Sequence, residues 1–510
     1  MLDRFATRAT KDTLPIDVVD ARRLDAWKKG QPEAVRRWVE AAGFRGDPGT
    51  ALLIPGADGS AGVGGVLFAV PRPGADGGRG PFRFSPLPAL LPPGRYRFAD
   101  DALPEAEDAR DAALGWALAG YDFDRYRRRR RPGKNGAPAP VLVWPEAADR
   151  GEVTRLAEGT ALCRDLINIP AGDLPPDALA QATRDLGKKH GAKVSVIRGE
   201  KLLTANYPAV HAVGRASVHP PCLIDLRWGE ANHPRVTLVG KGVVFDSGGL
   251  DLKPAGGMLL MKKDMGGAAH VLGLAHAVMD AGLPVRLRVL IPAVENAVSG
   301  NAFHPLDVLQ TRKGITIEVG NTDAEGRLIL CDALAEADAE SPDMILDFAT
   351  LTGAARIALG TELPALFASD DELAAALLQG GEAQEDPFWR MPLHRPYRRL
   401  LDSRVADLSN VSPGRFGGAI TAALFLQEFV SSKTPWAHVD VMAWNLEHRP
   451  GRPQGGEAMG LRAAYAALRA RYADGRRKRR SPPAATKKKA AAGKARGKKA
   501  SRRKTPARPQ

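Results

Sequence analysis

The sequence predicts an α/β fold in two domains: a small N-terminal α/β domain, then a larger C-terminal domain with a mixed β-sheet flanked by helices. Three observations carry this. The chain has 510 residues, more than one ordinary core organises. Strand-length apolar runs alternate with helical periodicity across residues 172–472. The composition, 44% hydrophobic and 26% charged, is that of a soluble globular protein, and no apolar run approaches the roughly 18 residues that span a bilayer.

Residues 1–147 read as the N-terminal domain. Within it, 51–54 and 65–70 are short strands flanking a turn at Ala57-Asp58-Gly59. The five arginines at 127–131, followed by Pro132-Gly133-Lys134-Asn135-Gly136, read as a solvated loop rather than a docking site for an acidic partner. Val153, Leu156, Leu162, Leu166 and Ile167 recur at helical spacing until Pro170 stops the pattern, so residues 148–171 are expected to form a linking helix. In the C-terminal domain, 172–472, strand-like runs fall at 193–197, 223–228, 236–245, 286–291, 315–319, 344–348 and 438–441. Helical patterns fill 267–281, 328–339 and 419–429.

The net charge of +15 is a property of one end. Residues 476–510 hold sixteen Lys/Arg and no acid, which leaves 57 basic against 58 acidic residues in the rest. The segment 473–510 is dominated by Lys, Arg, Ala, Pro and Gly, has no aromatic, cannot form a core, and is expected to be disordered. Cys163, Cys222 and Cys331 are odd in number and far apart, with no metal knuckle or disulfide framework. Together with a start that lacks an apolar signal core, this points to a reducing cytoplasm.

Three segments concentrate unusual residues where strands end. Lys241 lies inside an apolar run, an expensive position unless something uses it, and Asp246 follows five residues later before Gly248 and Gly249. Asp264 stands just before a helical pattern. Asp323 and Glu325, with Arg327, occupy a turn between a strand and a helix. Sites in open α/β sheets form at the carboxyl ends of strands. Four carboxylates converging there would repel one another unless divalent cations neutralised them, and oxygen-rich ligation suits Mn²⁺ or Zn²⁺. Taken singly, Asp323 is a turn residue, Asp264 an N-cap and Lys241 a snorkelling edge lysine; their recurrence at matching strand ends argues against that reading.

Asn321-Thr322-Asp323-Ala324-Glu325-Gly326-Arg327-Leu328 is similar, without mismatch, to the signature octapeptide of the leucyl aminopeptidase (cytosol aminopeptidase) family. Lys241, Asp246, Lys253 and Asp264 sit at that family's intervals, and similarity continues through 164–168, 347–354, 406–410 and 417–428, so that it covers roughly 150–470. The resemblance implies a metal-dependent aminopeptidase, a hydrolase that releases leucine and similar N-terminal residues from peptides with water activated by two metal ions. It implies that Asp246 and Glu325 bridge both metals, that Lys241 and Asp264 complete the tighter site, and that Asp323 completes the exchangeable one. Lys253 is implied to stabilise the oxyanion, and Arg327 to hold a bicarbonate acting as general base. Met261 and Thr350 are implied to line the side-chain pocket, with the Leu351 backbone beside the bicarbonate. A homohexamer is implied as well.

Two stretches depart from the family pattern: Ile169-Pro170-Ala171-Gly172 at the domain junction, and Trp436 to Trp444 at the pocket wall. Neither touches an implied ligand. Asp246-Ser247-Gly248-Gly249 resembles a serine-protease nucleophile segment but has Phe245 and Leu250 where that segment needs Gly and Pro. No His-Glu-x-x-His, Walker loop or dinucleotide fingerprint occurs, and His270 and His276, six apart, lack ligand spacing. The basic run 476–510 supports one alternative of another class, an additional nonspecific contact with nucleic acid through counterion release.

Overall fold

A computed structural model describes residues 1–56, 62–72, 79–128 and 139–473. The turn at 57–59, most of the arginine-rich loop and the basic segment beyond 473 lie outside the described residues. Among the described residues no helix is long and apolar enough to cross a membrane.

Alternating apolar residues build the first sheet from β1 (Phe5–Ala6), β2 (Thr13–Val19), β3 (Ala51–Pro55), β4 (Val63–Ala69), β5 (Arg95–Phe98) and β6 (Val141–Val143). The order is β1-β6-β5-β2-β4-β3, and only the β3–β4 pair is antiparallel. Ile16, Val66, Phe68 and Tyr96 on these strands pack with Ala112 and Trp116 of the helix Ala106–Ala119.

The helix Arg150–Asn168 follows. The Asp149 carboxylate caps it by accepting the Glu152 N–H at 3.0 Å. It crosses the helix Gly266–Asp280 where Gly159 meets Gly273. A Cβ on either glycine would come within 2.7 Å of the other's carbonyl oxygen, so only bare backbones can approach so closely.

The larger sheet contains β7 (Lys193–Arg198), β8 (Cys222–Trp228), β9 (Arg235–Gly240), β10 (Gly242–Asp246) and β11 (Arg286–Asn296). After β12 (Val308–Leu309) and β13 (Ile317–Glu318) come β14 (Met344–Ala349), β15 (Ala365–Ala368), β16 (Trp389–Arg390), β17 (Leu408–Ser409) and β18 (Trp436–Asp440). The order is β16-β15-β18-β14-β9-β11-β8-β7, with β10 also paired to β11. Strands β18, β14, β9, β10 and β11 run parallel, so their carboxyl ends lie along one edge. One face packs on the helices Arg150–Asn168 and Gly266–Asp280, the other on Glu325–Ala339 and Gly418–Gln427. Both faces are covered, which is why the central strands are apolar on both sides.

Two sequence expectations change. The single strand over 236–245 is two strands broken at Lys241. The Lys241 N–H donates to Phe348 O at 3.0 Å and its carbonyl accepts the Ala268 N–H at 2.8 Å, which takes this residue out of the ladder with β11. The strand over 315–319 shortens to β13 and joins β12 and β17 in a separate three-stranded sheet.

A candidate metal centre at the strand ends

Each acidic side chain singled out in the sequence reaches the same place by a different route. Lys241 leaves the end of β9 and Asp246 ends β10. Asp264 lies in the 3-10 turn Met261–Met265, and Glu325 opens the helix Glu325–Ala339 two residues after Asp323. Gly326 makes room for the lysine. A Cβ there would lie 2.4 Å from Lys241 Cε, so a larger residue would drive the ammonium out of the cluster.

The Lys241 Nζ lies 2.7 Å from Asp264 Oδ2 and 2.9 Å from Glu325 Oε1, and donates to Thr350 O at 3.0 Å. Lys253 Nζ lies 2.8 Å from Asp246 Oδ2 and also pairs with Asp323. Asp246, Asp323 and Glu325 each bring a carboxylate oxygen within 4.8 Å of the others. Lys241, Asp264 and Glu325 are almost completely buried. Burial, then repulsion from Asp246, pushes Asp323 up to about 6 and Glu325 well above the usual carboxylate range. Burial would lower the Lys241 ammonium, but Asp264, Glu325 and Asp246 outweigh it and raise it.

The donor set fits divalent metal. Glu325 Oε2 is buried and accepts no hydrogen bond, and Asp264 Oδ2, Asp323 Oδ1 and Glu325 Oε1 meet lysine charge without a hydrogen bond of proper geometry. Buried carboxylate oxygens without donors are costly for a protein to hold by itself. Four carboxylates match the charge of two dications if Lys241 binds as a neutral amine, leaving Lys253 as the surplus cation.

The remaining expected residues stand around this cluster. Thr350 Oγ1 donates to Asp264 Oδ1 at 2.8 Å. Met261 is buried in the turn that carries Asp264. Arg327 is buried, donates through Nη1 to Asn410 O at 2.6 Å, leaves Nε without an acceptor, and is lowered to about 10 by burial. The Leu351 N–H donates to Asp440 Oδ1 at 2.9 Å. Ser247 serves its turn: its hydroxyl donates to Asn296 O and accepts the Gly249 N–H. His270 and His276 are buried in helix packing away from the cluster, His270 accepting the Met459 N–H at 2.8 Å.

Sequence reasoning missed the residues that hold these groups still. Asn296 donates to Asp246 Oδ1 at 2.8 Å from the end of β11. Asn410 accepts the Gly320 N–H and donates to Asn321 O, clamping the octapeptide loop. Asp440, ending β18, accepts the Leu351 and Thr352 N–H groups and the Thr352 hydroxyl. Each is a polar residue at the carboxyl edge of the sheet or in the loop opposite it, and that position was the available signal.

Residues 161–465 match the cytosol aminopeptidase family, catalytic domain, and residues 14–135 match the M17 aminopeptidase N-terminal domain. A probable cytosol aminopeptidase of Roseiflexus castenholzii is 41% identical over 392 residues, 74% of this chain and 80% of that protein. The crystal structure of cytosol aminopeptidase from Coxiella burnetii superposes with a TM-score of 0.86 at 50% identity, covering 92% of this chain and all of that one. The bottromycin maturation enzyme BotP in complex with Mn superposes with a TM-score of 0.78 at 37% identity, over 90% of this chain and 99% of its own.

Proposed function

The chain belongs to the cytosol aminopeptidase family of metal-dependent exopeptidases, and on that premise we propose that it removes leucine and similar N-terminal residues from peptides at a two-metal centre. The observation that carries the reading is the meeting of Asp246, Asp264, Asp323 and Glu325 around Lys241 and Lys253, with buried oxygens of Asp264, Asp323 and Glu325 that accept no hydrogen bond of proper geometry. Asp246 and Glu325 would hold both ions, with Lys241 and Asp264 completing one site and Asp323 the other. Bound divalent ions supply Lewis acidity, which lowers the pKa of water and polarises a peptide carbonyl.

The protein groups do the rest. Lys253 offers its positive charge where the carbonyl oxygen becomes negative. Asp264 draws the free α-ammonium of the substrate, which limits cleavage to the first residue. Arg327 would hold a bicarbonate, the proposed general base, beside the Leu351 backbone, and Met261 and Thr350 would meet the substrate side chain. Manganese is supported by the Mn complex of a relative, and zinc suits the same donors. The relatives' naming as cytosol enzymes supports a cytoplasmic protein. Residues 1–147 and 172–472 are assigned as the two domains, with 148–171 as the link. A homohexamer follows from the resemblance, and sedimentation of a fully active monomer would exclude it.

The decisive measurement is hydrolysis of a leucyl reporter after exhaustive chelation, then with Zn²⁺ or Mn²⁺ restored. Activity should vanish and return, while an N-acetylated peptide stays intact. Activity that survives chelation, or equal cleavage of the acetylated peptide, would overturn the mechanism. The basic residues within 476–510 favour a second reading, contact with nucleic acid, taken up below.

A further inference from the structure

Between the N-terminal sheet domain and the last helix lies a cavity of about 350 Å³ that combines apolar walls with several charged side chains. None of its lining residues belongs to the metal cluster. Arg449, at its rim, is paired with Glu362. Two other arginines are less well matched. The guanidinium carbons of Arg452 and Arg462 lie 3.7 and 4.9 Å from the centroid of the Phe82 ring. Two like charges therefore share one buried site, and burial, followed by the charge of Arg462, holds Arg452 below the usual range.

Arg462 is only 1% exposed. Its Nη2 reaches Glu385 O at 3.3 Å and Asp386 Oδ1 at 3.5 Å, but Nε and Nη1 have no acceptor. The nearby carboxylates are committed elsewhere. Glu457 accepts both Nε and Nη2 of Arg164, at 2.9 and 3.1 Å. Asp386 caps the helix Leu461–Tyr472 through the N–H groups of Gly460 and Arg462, each at 2.8 Å. Glu385 remains; burial pushes its carboxyl up, and Oε2 has no donor.

A buried guanidinium with unpaired N–H groups is matched best by a carboxylate, whose planar oxygens fit its fork. We infer that this cavity is a binding site for a small carboxylate, held by Arg452 and Arg462 over Phe82, and separate from the metal centre. A free α-amino acid meets the site most fully. Its carboxylate answers the two arginines, its ammonium answers Glu385, and its side chain lies along Leu363 and Met459, which also line the cavity. Phe82 comes from the N-terminal domain and Arg462 from the last helix, so the ligand ties the two together and stabilises the fold by mass action.

The test is calorimetric unfolding of the metal-loaded full chain with L-leucine, leucinamide, acetate or inorganic phosphate, in the wild type and in Arg452→Gln and Arg462→Met. Leucine should raise the wild-type Tm saturably, and leucinamide should raise it no more in the wild type than in the variants. The leucine shift should shrink or vanish in both variants while their peptidase activity persists. An acetate shift alongside that of leucine identifies the carboxylate as the shared determinant; a leucine shift alone assigns the site to amino acids. Equal leucine shifts in wild type and variants, no shift at all, or a response to phosphate alone would overturn the inference. Should Arg462→Met fail to fold, Arg452→Gln carries the comparison. Crystals soaked with L-selenomethionine give an independent check, since anomalous selenium density must appear in this cavity beside Leu363 and Met459, whether or not it also appears at the metal cluster.

Discussion

Lys253 and Asp440 separate two kinds of work at the metal centre. Lys253 Nζ contacts Asp246 and Asp323, and in the proposed arrangement it fills no metal site. Lys253→Ala should therefore keep its metal by elemental analysis while kcat falls by about 10²–10³, the usual cost of losing one oxyanion-stabilising group. Loss of metal instead would make Lys253 part of the binding site. Asp440 acts through others. It holds the Leu351 and Thr352 N–H groups, and the adjoining Thr350 gives a carbonyl to Lys241 and a hydroxyl to Asp264. Asp440→Ala should weaken metal affinity about 10–100-fold, as lost support of a ligand does. Excess Mn²⁺ should restore part of the activity. An unaltered metal affinity would show that the 350–352 turn keeps its place without the carboxylate.

At the scale of elements, three helices meet at a histidine pair. His276, on Gly266–Asp280, lies with Nδ1 2.9 Å from His190 Nε2, at the end of Pro176–His190. Its Nε2 lies 3.3 Å from Glu158 on Arg150–Asn168. Burial, then the charges of Lys189 and His190, pushes His276 down to about 4 from an ordinary 6.5. A base with a lowered folded pKa binds fewer protons folded than unfolded. Stability is thus full above about pH 6.5 and declines as pH falls toward 4, by up to about 3 kcal/mol. Urea midpoints at about pH 7 and about pH 5 should differ less in His276→Leu than in the wild type. An unchanged difference would assign the acid sensitivity to other groups. None of this pairing is visible in the chain, because 86 residues separate the two histidines.

For the whole molecule, charge is the property that divides the chain. Removing residues 476–510 deletes sixteen positive charges and leaves a body of 57 bases and 58 acids. Peptidase kinetics on small neutral substrates should hardly change, since exposed charges are screened beyond about 8 Å at physiological ionic strength. Retention of duplex DNA should collapse on truncation, and in the intact chain should fall steeply with salt as counterions are exchanged. Six such segments in a hexamer would strengthen retention through avidity. Equal retention by intact and truncated protein across a salt series would place any DNA binding on the folded body.

The sequence by itself determined the fold class and singled out, in chain order, the acids and lysines that meet at the strand ends. Strand and helix periodicities are local, and an acid or lysine at the end of an apolar run announces itself within a few residues. Only the tertiary structure decided which partners hold them. The break at Lys241 depends on Phe348 and Ala268, a neighbouring strand and a helix start that local alternation does not register. Asn296, Asn410 and Asp440 become informative when β-pairing and loop closure bring them to residues 50 to 90 positions away. The arginine cavity likewise joins Phe82 to Arg452 and Arg462 across most of the chain. Such contacts are set by how covered sheets and helices pack, where each buried polar group must find a partner in space and not in sequence.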